Sequence, residues 1–207
     1  MFLELLESRR SIRKFKSRPV EKEKVDLLVE AALRAPSSRS LNPWEFIVVS
    51  DKKLLARLAE CKSHGASFLK SAPLGIVVLA DPKRCDVWIE DSSIASIFIH
   101  LAAHSLSLGS CWIQVRERIH DDNTSAGEYV AGLLGIPSGL EVEALVAVGY
   151  PDSSLSGHSK ENLQYNKVHM EKYGNAFTCE TIFGRKESRL IEAEIEHQFC
   201  LEHHRFY

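Results

Sequence analysis

Ala35-Pro36-Ser37-Ser38-Arg39-Ser40-Leu41-Asn42-Pro43-Trp44-Glu45-Phe46 is the stretch on which the fold turns. Pro36 disfavours the helical region for the residue before it, so a helix must end there. The preceding residues supply that helix. Val25, Leu28, Val29 and Ala32 recur at i, i+3, i+4 and i+7, one apolar stripe over residues 21–34. The following residues supply a strand over 46–50, opening Phe46-Ile47-Val48-Val49. Between them lie small hydroxyl residues, Asn42 and Pro43. Such a loop, held by a rigid scaffold, is a common place for a ligand pocket.

Toward the C-terminus the same reading continues. Asp51 is placed to cap a helix over 51–60, and residues 64–71 hold a further helical turn. Leu74–Ala80 is unbroken apolar sequence, the pattern of a central strand covered on both faces. Residues 87–108 are apolar on every side: Ile94, Ile97, Phe98 and Leu101 mark one, Ala95, Ile99, Ala102 and Leu106 the others. That predicts a buried helix through the middle of the fold or of a dimer, stopped by Gly109. Trp112–Val115 reads as a short strand, 125–135 as a helix closed by Gly135, and Glu141–Val148 as an alternating strand that turns at Gly149-Tyr150-Pro151. The tail from about 187 is charged and helical in pattern. Helices come first, then strands separated by helices. The expected class is α/β (α+β), with a mixed sheet of four to five strands covered by helices in one domain spanning 1–207. No Gly-x-Gly-x-x-Gly or Gly-x-x-x-x-Gly-Lys-Ser/Thr is present, so a Rossmann unit or P-loop is unsupported.

Toward the N-terminus lies Ser8-Arg9-Arg10-Ser11-Ile12-Arg13-Lys14-Phe15. Three guanidinium forks and two hydroxyls in so short a run suit a phosphorylated, polar-chained ligand. The run stands out because the chain's formal net charge is only −2, which implies no general attraction to nucleic acid or an anionic membrane. The five cysteines form no Cys-x-x-Cys pair, so they read as reduced and intracellular, and not as a disulfide framework or an iron–sulfur site. Neither a signal peptide nor an apolar run long enough to span a bilayer is found, and a cytoplasmic location is expected.

Taken together, Arg-Arg-Ser-Ile-Arg-Lys-Phe, Ala-Pro-Ser-Ser, Asn-Pro-Trp-Glu-Phe and Val148-Gly149-Tyr150-Pro151 resemble the FMN-dependent nitroreductase family over about Leu6 to Gly174. The resemblance implies a homodimer with FMN at the subunit interface, reduced by NADH or NADPH. Arg9 would bind the phosphate, with Arg10 and Ser11 on the phosphate or ribityl side. Arg13 would lie near N1/O2 and stabilise the reduced flavin. Pro36, Ser37 and Ser38 would come from the partner subunit to flank the ring, and Asn42 would bond the ribityl chain or ring edge. Gly149 would place backbone near the ring, and Lys160 would be a second phosphate cation. Residues 175–207 would form a helical extension on the partner. The protein would need no catalytic nucleophile, because the flavin carries the chemistry. Electron-poor acceptors such as nitroaromatics or quinones would be reduced by ping-pong transfer. A specialised dehalogenase or flavin-fragmenting enzyme, or a non-catalytic flavin binder, is the alternative. Ser40 stands where many members have Asn, Asn42 where they have Gln, and the usual C-terminal arginine is not clearly present.

His100 and His104 share the i, i+4 spacing of metal ligands, but no third ligand or accompanying Glu is evident. They read as hydrogen-bonded or interface histidines. His197, Cys200, His203 and His204 read as surface or dimer contacts. Trp44 and Phe46 read as core, and Trp112 as a candidate border of the flavin.

Overall fold

The structure is a computed structural model and describes residues 2–177. Two compact units are distinguished, residues 1–158 and 159–207. The first contains α1 (Phe2–Ser8), α2 (Lys22–Leu33), β1 (Trp44–Val49), α3 (Lys52–Leu58), β2 (Leu74–Ala80), α4 (Trp88–Ser105), β3 (Gly109–Gln114), α5 (Ala126–Leu134) and β4 (Glu141–Gly149). The described part of the second holds two short 3-10 turns, Lys160–Asn162 and Tyr165–Lys167, and a bridge from His169 to Ala176.

The four strands form one sheet in the order β1-β2-β4-β3. All three pairings are antiparallel, from Trp44↔Ala80, Leu74↔Val148 and Gly109↔Gly149. Beyond these strand pairings, an isolated parallel bridge joins Ser11 to Ser110. Side chains alternate across a strand, so an unbroken apolar run must supply two cores. β2 does so. Val77 and Leu79 join Leu55, Leu58 and Leu145 on the α3–α5 side, whereas Ile76 and Val78 join Leu28, Ile99 and Val146 on the α2–α4 side. Fully burying one such Leu or Ile contributes roughly 1.5–3 kcal/mol. The sheet is thus the middle layer of three.

Two expectations need correction. Gly109 does not stop the long helix. α4 ends at Ser105, Ser107 takes the left-handed turn at φ 60°, and Gly109 is already in β3. A Cβ on Gly109 would lie 2.7 Å from Cβ of Ile12, so the glycine admits the N-terminal segment to the sheet edge. The second concerns α4, which is central but not buried all round in the single chain. Its covered face includes Asp91, Ser92, Ser96 and His100 as well as Ala95 and Ile99. Ile94 and Ile97 are exposed at 37% and 43%. Trp44 is core as expected and meets Phe46 edge-on. The α5 ends were legible: Ser125 and Glu128 form a reciprocal capping box, and Gly135 closes the helix at φ 67°.

Candidate functional site

The arginine run leaves α1 as an extended ribbon along the sheet. Ile12 N donates to Ser110 O at 2.9 Å, Lys16 N to Tyr150 O at 2.8 Å, and Asp152 N to Lys14 O at 3.0 Å. Extended backbone sends alternate side chains opposite ways. Arg9, Ser11 and Arg13 occupy alternate positions of the ribbon, with Arg10 and Ile12 between them. The Arg13 guanidinium lies 5.8 Å from the centre of the Phe68 ring. Arg10 points elsewhere: its Nη1 donates to Ser156 O at 3.1 Å. It lines a cleft of about 520 Å³ with Lys16, Tyr150 and residues 152–155. The structure therefore brings Arg9, Ser11 and Arg13 together and separates Arg10, which ties down the loop after β4.

That loop closes on α1. A Cβ on Gly157 would collide with the Glu7 carbonyl oxygen, so only glycine passes there. At its start, the Tyr150 hydroxyl donates to Glu21 Oε2 at 2.6 Å and accepts from Lys24 Nζ at 3.0 Å. The Tyr150 bond, followed by Glu21's own backbone and Arg18, holds the exposed Glu21 carboxyl down at about 2.

The loop after α2 is strained. Arg39, Ser40 and Asn42 have φ of 53°, 54° and 47°, a region that costs a non-glycine residue roughly 1–2 kcal/mol. Asn42 N donates to Ser37 Oγ at 3.0 Å, and Ser37 Oγ donates to Asn42 Oδ1 at 2.6 Å. Ser38 N donates to the buried Asp91 at 2.8 Å. Asp91 also accepts from Cys85 Sγ at 3.3 Å, and Arg39 pairs with Asp86. Pro36 is exposed, with Ser37 and Ser38 half-buried. Gly149 is buried at the end of β4; a Cβ there would lie 2.5 Å from Pro73 Cδ and 3.0 Å from Phe15 Cδ1. Lys160 lies in the second unit, exposed, at the start of its first 3-10 turn.

The two histidines of α4 are hydrogen-bonded, one of the two readings their spacing left open. Ser8 Oγ pairs with His104 Nε2 at 2.8 Å, and His100 Nδ1 with Ser110 Oγ at 2.7 Å, so both histidines have side-chain partners. Burial, then the Arg9 charge, pushes His100 down to about 4 and lowers His104 as well. The fold thus holds His100 neutral. The unfolded chain binds more protons than the folded one between about pH 6.5 and 4, so His100 removes stability as pH falls through that window, on the order of 3 kcal/mol. Urea midpoints at pH 7 and 4.5 check this. His100→Gln is expected to lose distinctly less stability over that interval than the native chain; equal losses would assign the effect to other groups.

Lys62 Nζ donates to Gln114 O at 2.7 Å. Burial lowers its pKa, and its charge acts on Cys111. The Cys111 thiol is pushed up by burial, opposed first by Arg13, then by the Ser11 bond, Arg9 and Lys62. Beyond β3, Arg116 pairs with Glu117 at 2.8 Å and approaches Glu143 to 3.7 Å. Glu143 is the extra residue where β4 shifts register against Val78 and Leu79. Burial raises its pKa, and its Oε2 accepts no hydrogen bond among the described residues. A cleft of about 350 Å³ separates Lys62–His64 from Glu117–Ile119.

The profile of the nitroreductase family matches residues 6–64 and 62–150. This chain belongs to the nitroreductase family. An FMN-dependent nitroreductase of Clostridium difficile, known as a structure, is 50% identical and superposes with a TM-score of 0.81, over 83% of this chain and 99% of its own. A protein of Archaeoglobus fulgidus named as an NADH dehydrogenase/NAD(P)H nitroreductase is 35% identical over 83% of this chain and 98% of its own length. Iodotyrosine deiodinase 1 of Rattus norvegicus is 28% identical over 64% of this chain and 46% of its own. The nitroreductase match includes the arginine ribbon, the strained loop and all four strands. Residues 178–207, with Cys179, Cys200 and the expected helical extension, lie outside the described residues. Among the described residues, no helix is long and apolar enough to cross a membrane.

Proposed function

We propose that this chain is an FMN-dependent oxidoreductase that takes electrons from NADH or NADPH and gives them to electron-poor acceptors such as nitroaromatics or quinones. The observation that carries the reading is the extended arginine ribbon, fixed along the sheet by backbone bonds to Ser110 and Tyr150 and carrying Arg9, Ser11 and Arg13 at alternate positions. The donor set fits the cofactor. A phosphate dianion needs cations, a ribityl chain needs hydroxyl partners, and the ring edge that gains charge needs a positive neighbour. Arg9 would hold the phosphate, Ser11 the ribityl side, and Arg13 the N1/O2 edge. FMN, when bound, supplies the electron-carrying ring. The neutral His100 and His104 add hydrogen-bonding capacity beside Arg9 without further charge. Arg10 acts indirectly, by holding the loop at Ser156.

The family resemblance adds the remaining roles. Lys160 would be a second phosphate cation, Asn42 would offer its amide nitrogen, and Gly149 its backbone. The exposed Ile94 and Ile97 on α4 suit burial against a second copy, which would bring the partner subunit's Pro36, Ser37 and Ser38 to the ring. The reading carries with it a cytoplasmic homodimer. For a nitro acceptor the balance is one NAD(P)H and one further proton consumed, with nitroso product, NAD(P)⁺ and water released. The nicotinamide must leave before the acceptor enters if both use one open face, so the kinetics are ping-pong. Reductive dehalogenation is the second reading, favoured by the similarity to the deiodinase.

The test is a visible spectrum of the purified protein followed by anaerobic NADPH. Flavin bands that bleach, and return on adding a nitroaromatic, are expected. A protein that takes up no FMN sinks the reading. Return of colour with iodotyrosine but not with nitroaromatics or quinones would favour the second.

A further inference from the structure

The cleft between Lys62–His64 and Glu117–Ile119 is set by hydrogen bonds on both walls. Lys62 Nζ reaches Gln114 O at 2.7 Å, His120 Nδ1 meets Glu60 O at 2.9 Å, and the Tyr129 hydroxyl donates to Arg57 O at 3.1 Å. The His120 ring stacks on Tyr129 at 3.9 Å. Thus the segment after β3 is pinned to the end of α3. Glu117 is held at φ 56°, a strained conformation for a residue with a side chain.

The charges on this cleft are lopsided. Lys62 and Arg118 are its cations, with the His64 ring beside them, against one carboxylate, Glu117. Arg116 already pairs with that carboxylate at 2.8 Å. Arg118 donates to a backbone carbonyl, Glu117 O, at 3.2 Å and has no carboxylate partner among its described contacts. Ile119, 71% exposed, supplies an apolar wall next to these cations. Lys62 Nζ is bonded to Gln114 O on β3, the strand whose Ser110 O holds Ile12 N of the ribbon. The cleft and the cofactor site as assigned above are therefore built on the same strand.

We propose that this cleft selects acceptors in which an aromatic ring carries an anionic group, a carboxylate or sulfonate, with Arg118 as the selecting residue. The inference rests on the flavin reading above. The aromatic ring would lie against Ile119 while the anionic group meets the Arg118 fork, with His64 alongside. The 2′-phosphate of NADPH offers the same charge, so the test separates the two ligands.

The experiment uses the flavin-loaded protein and an isosteric pair, 4-nitrobenzoate and 4-nitrobenzamide. At low salt the native enzyme is expected to show a KM for the nitrobenzoate about tenfold below that for the amide, the scale of one partly exposed charge-assisted contact. Benzoate should perturb the flavin spectrum with a matching dissociation constant, a readout independent of turnover. Arg118→Gln is expected to bring both measures near parity with the amide, and Arg118→Lys to restore part of the difference. A native enzyme without the preference, or an Arg118→Gln variant that keeps it, overturns the proposal. So does a variant whose loss falls on KM for NADPH relative to NADH with the acceptor ratio intact. A protein that binds no flavin fails the reading beneath it; one that bleaches normally but ignores the carboxylate fails this inference alone.

Discussion

Arg9→Ala is expected to emerge from purification nearly colourless and to bind added FMN about a hundredfold more weakly than the native chain. The physical reason is local. A bidentate guanidinium–phosphate contact contains two charge-assisted hydrogen bonds, and losing them costs roughly 3 kcal/mol, or two powers of ten in affinity. Arg9 is half-buried and its charge is felt by both His100 and His104. Removing it should also ease protonation of these histidines, a secondary change in pH dependence that an uninvolved surface arginine would not produce. Equilibrium titration followed by flavin fluorescence decides the matter. Arg10→Ala is the informative contrast. Its fork holds Ser156 O, so the expected loss is smaller and accompanied by a lower melting temperature. Equal affinity in the native protein and Arg9→Ala would remove the ribbon from the cofactor site.

Gly149→Ala is expected to be the most damaging added methyl among the glycines of the sheet. The new Cβ would stand 2.5 Å from Pro73 Cδ and 2.8 Å from Pro73 Cγ, with Phe15 at 3.0 Å. A proline ring cannot rotate aside, and Phe15 belongs to the packed core. Overpacking of this kind costs about 1–3 kcal/mol, a melting point lowered by several degrees in a chain of this size. Phe15 also bridges to Pro151, so the displaced atoms lie at the anchor of the arginine ribbon. Flavin affinity should fall together with stability. Thermal melts of the flavin-free protein separate the two effects: an unchanged melting point with lost affinity would mean that the glycine serves the ring and not the packing.

The parts of the fold written in local pattern were legible. The α2 stripe, the unbroken run of β2 and the Gly135 stop on α5 depend on neighbours in sequence, and each lies where the pattern puts it. Gly109 was misread because the residue that needs its missing side chain, Ile12, arrives from the other end of the chain. The helix α4 was legible as apolar, but periodicity could not show that its covered face would carry Asp91, Ser96 and His100 while two isoleucines faced outward. The arginine cluster was visible as a cluster. Its division into a ligand-side set and a loop anchor follows from the backbone being extended there, which no charge pattern encodes. The cleft between Lys62–His64 and Glu117–Ile119 had no motif at all, since two ordinary loops make it only when brought side by side. Asp91 offered a weak signal as an acidic residue in the first turn of an apolar helix.

The ribbon's tethers bear on the order in which a nascent chain can become functional. Its residues Ile12, Lys14 and Lys16 are made well before their backbone partners Ser110, Asp152 and Tyr150. At a synthesis rate of about 5–20 residues per second, those partners follow by several seconds to tens of seconds. Contacts so distant in sequence are closed late, because loop closure must precede the reward. Until then the segment beside Gly109 is missing from the sheet edge, and the guanidinium groups have no fixed geometry. Cofactor capture at the proposed site would therefore follow the threading of the last strand into place.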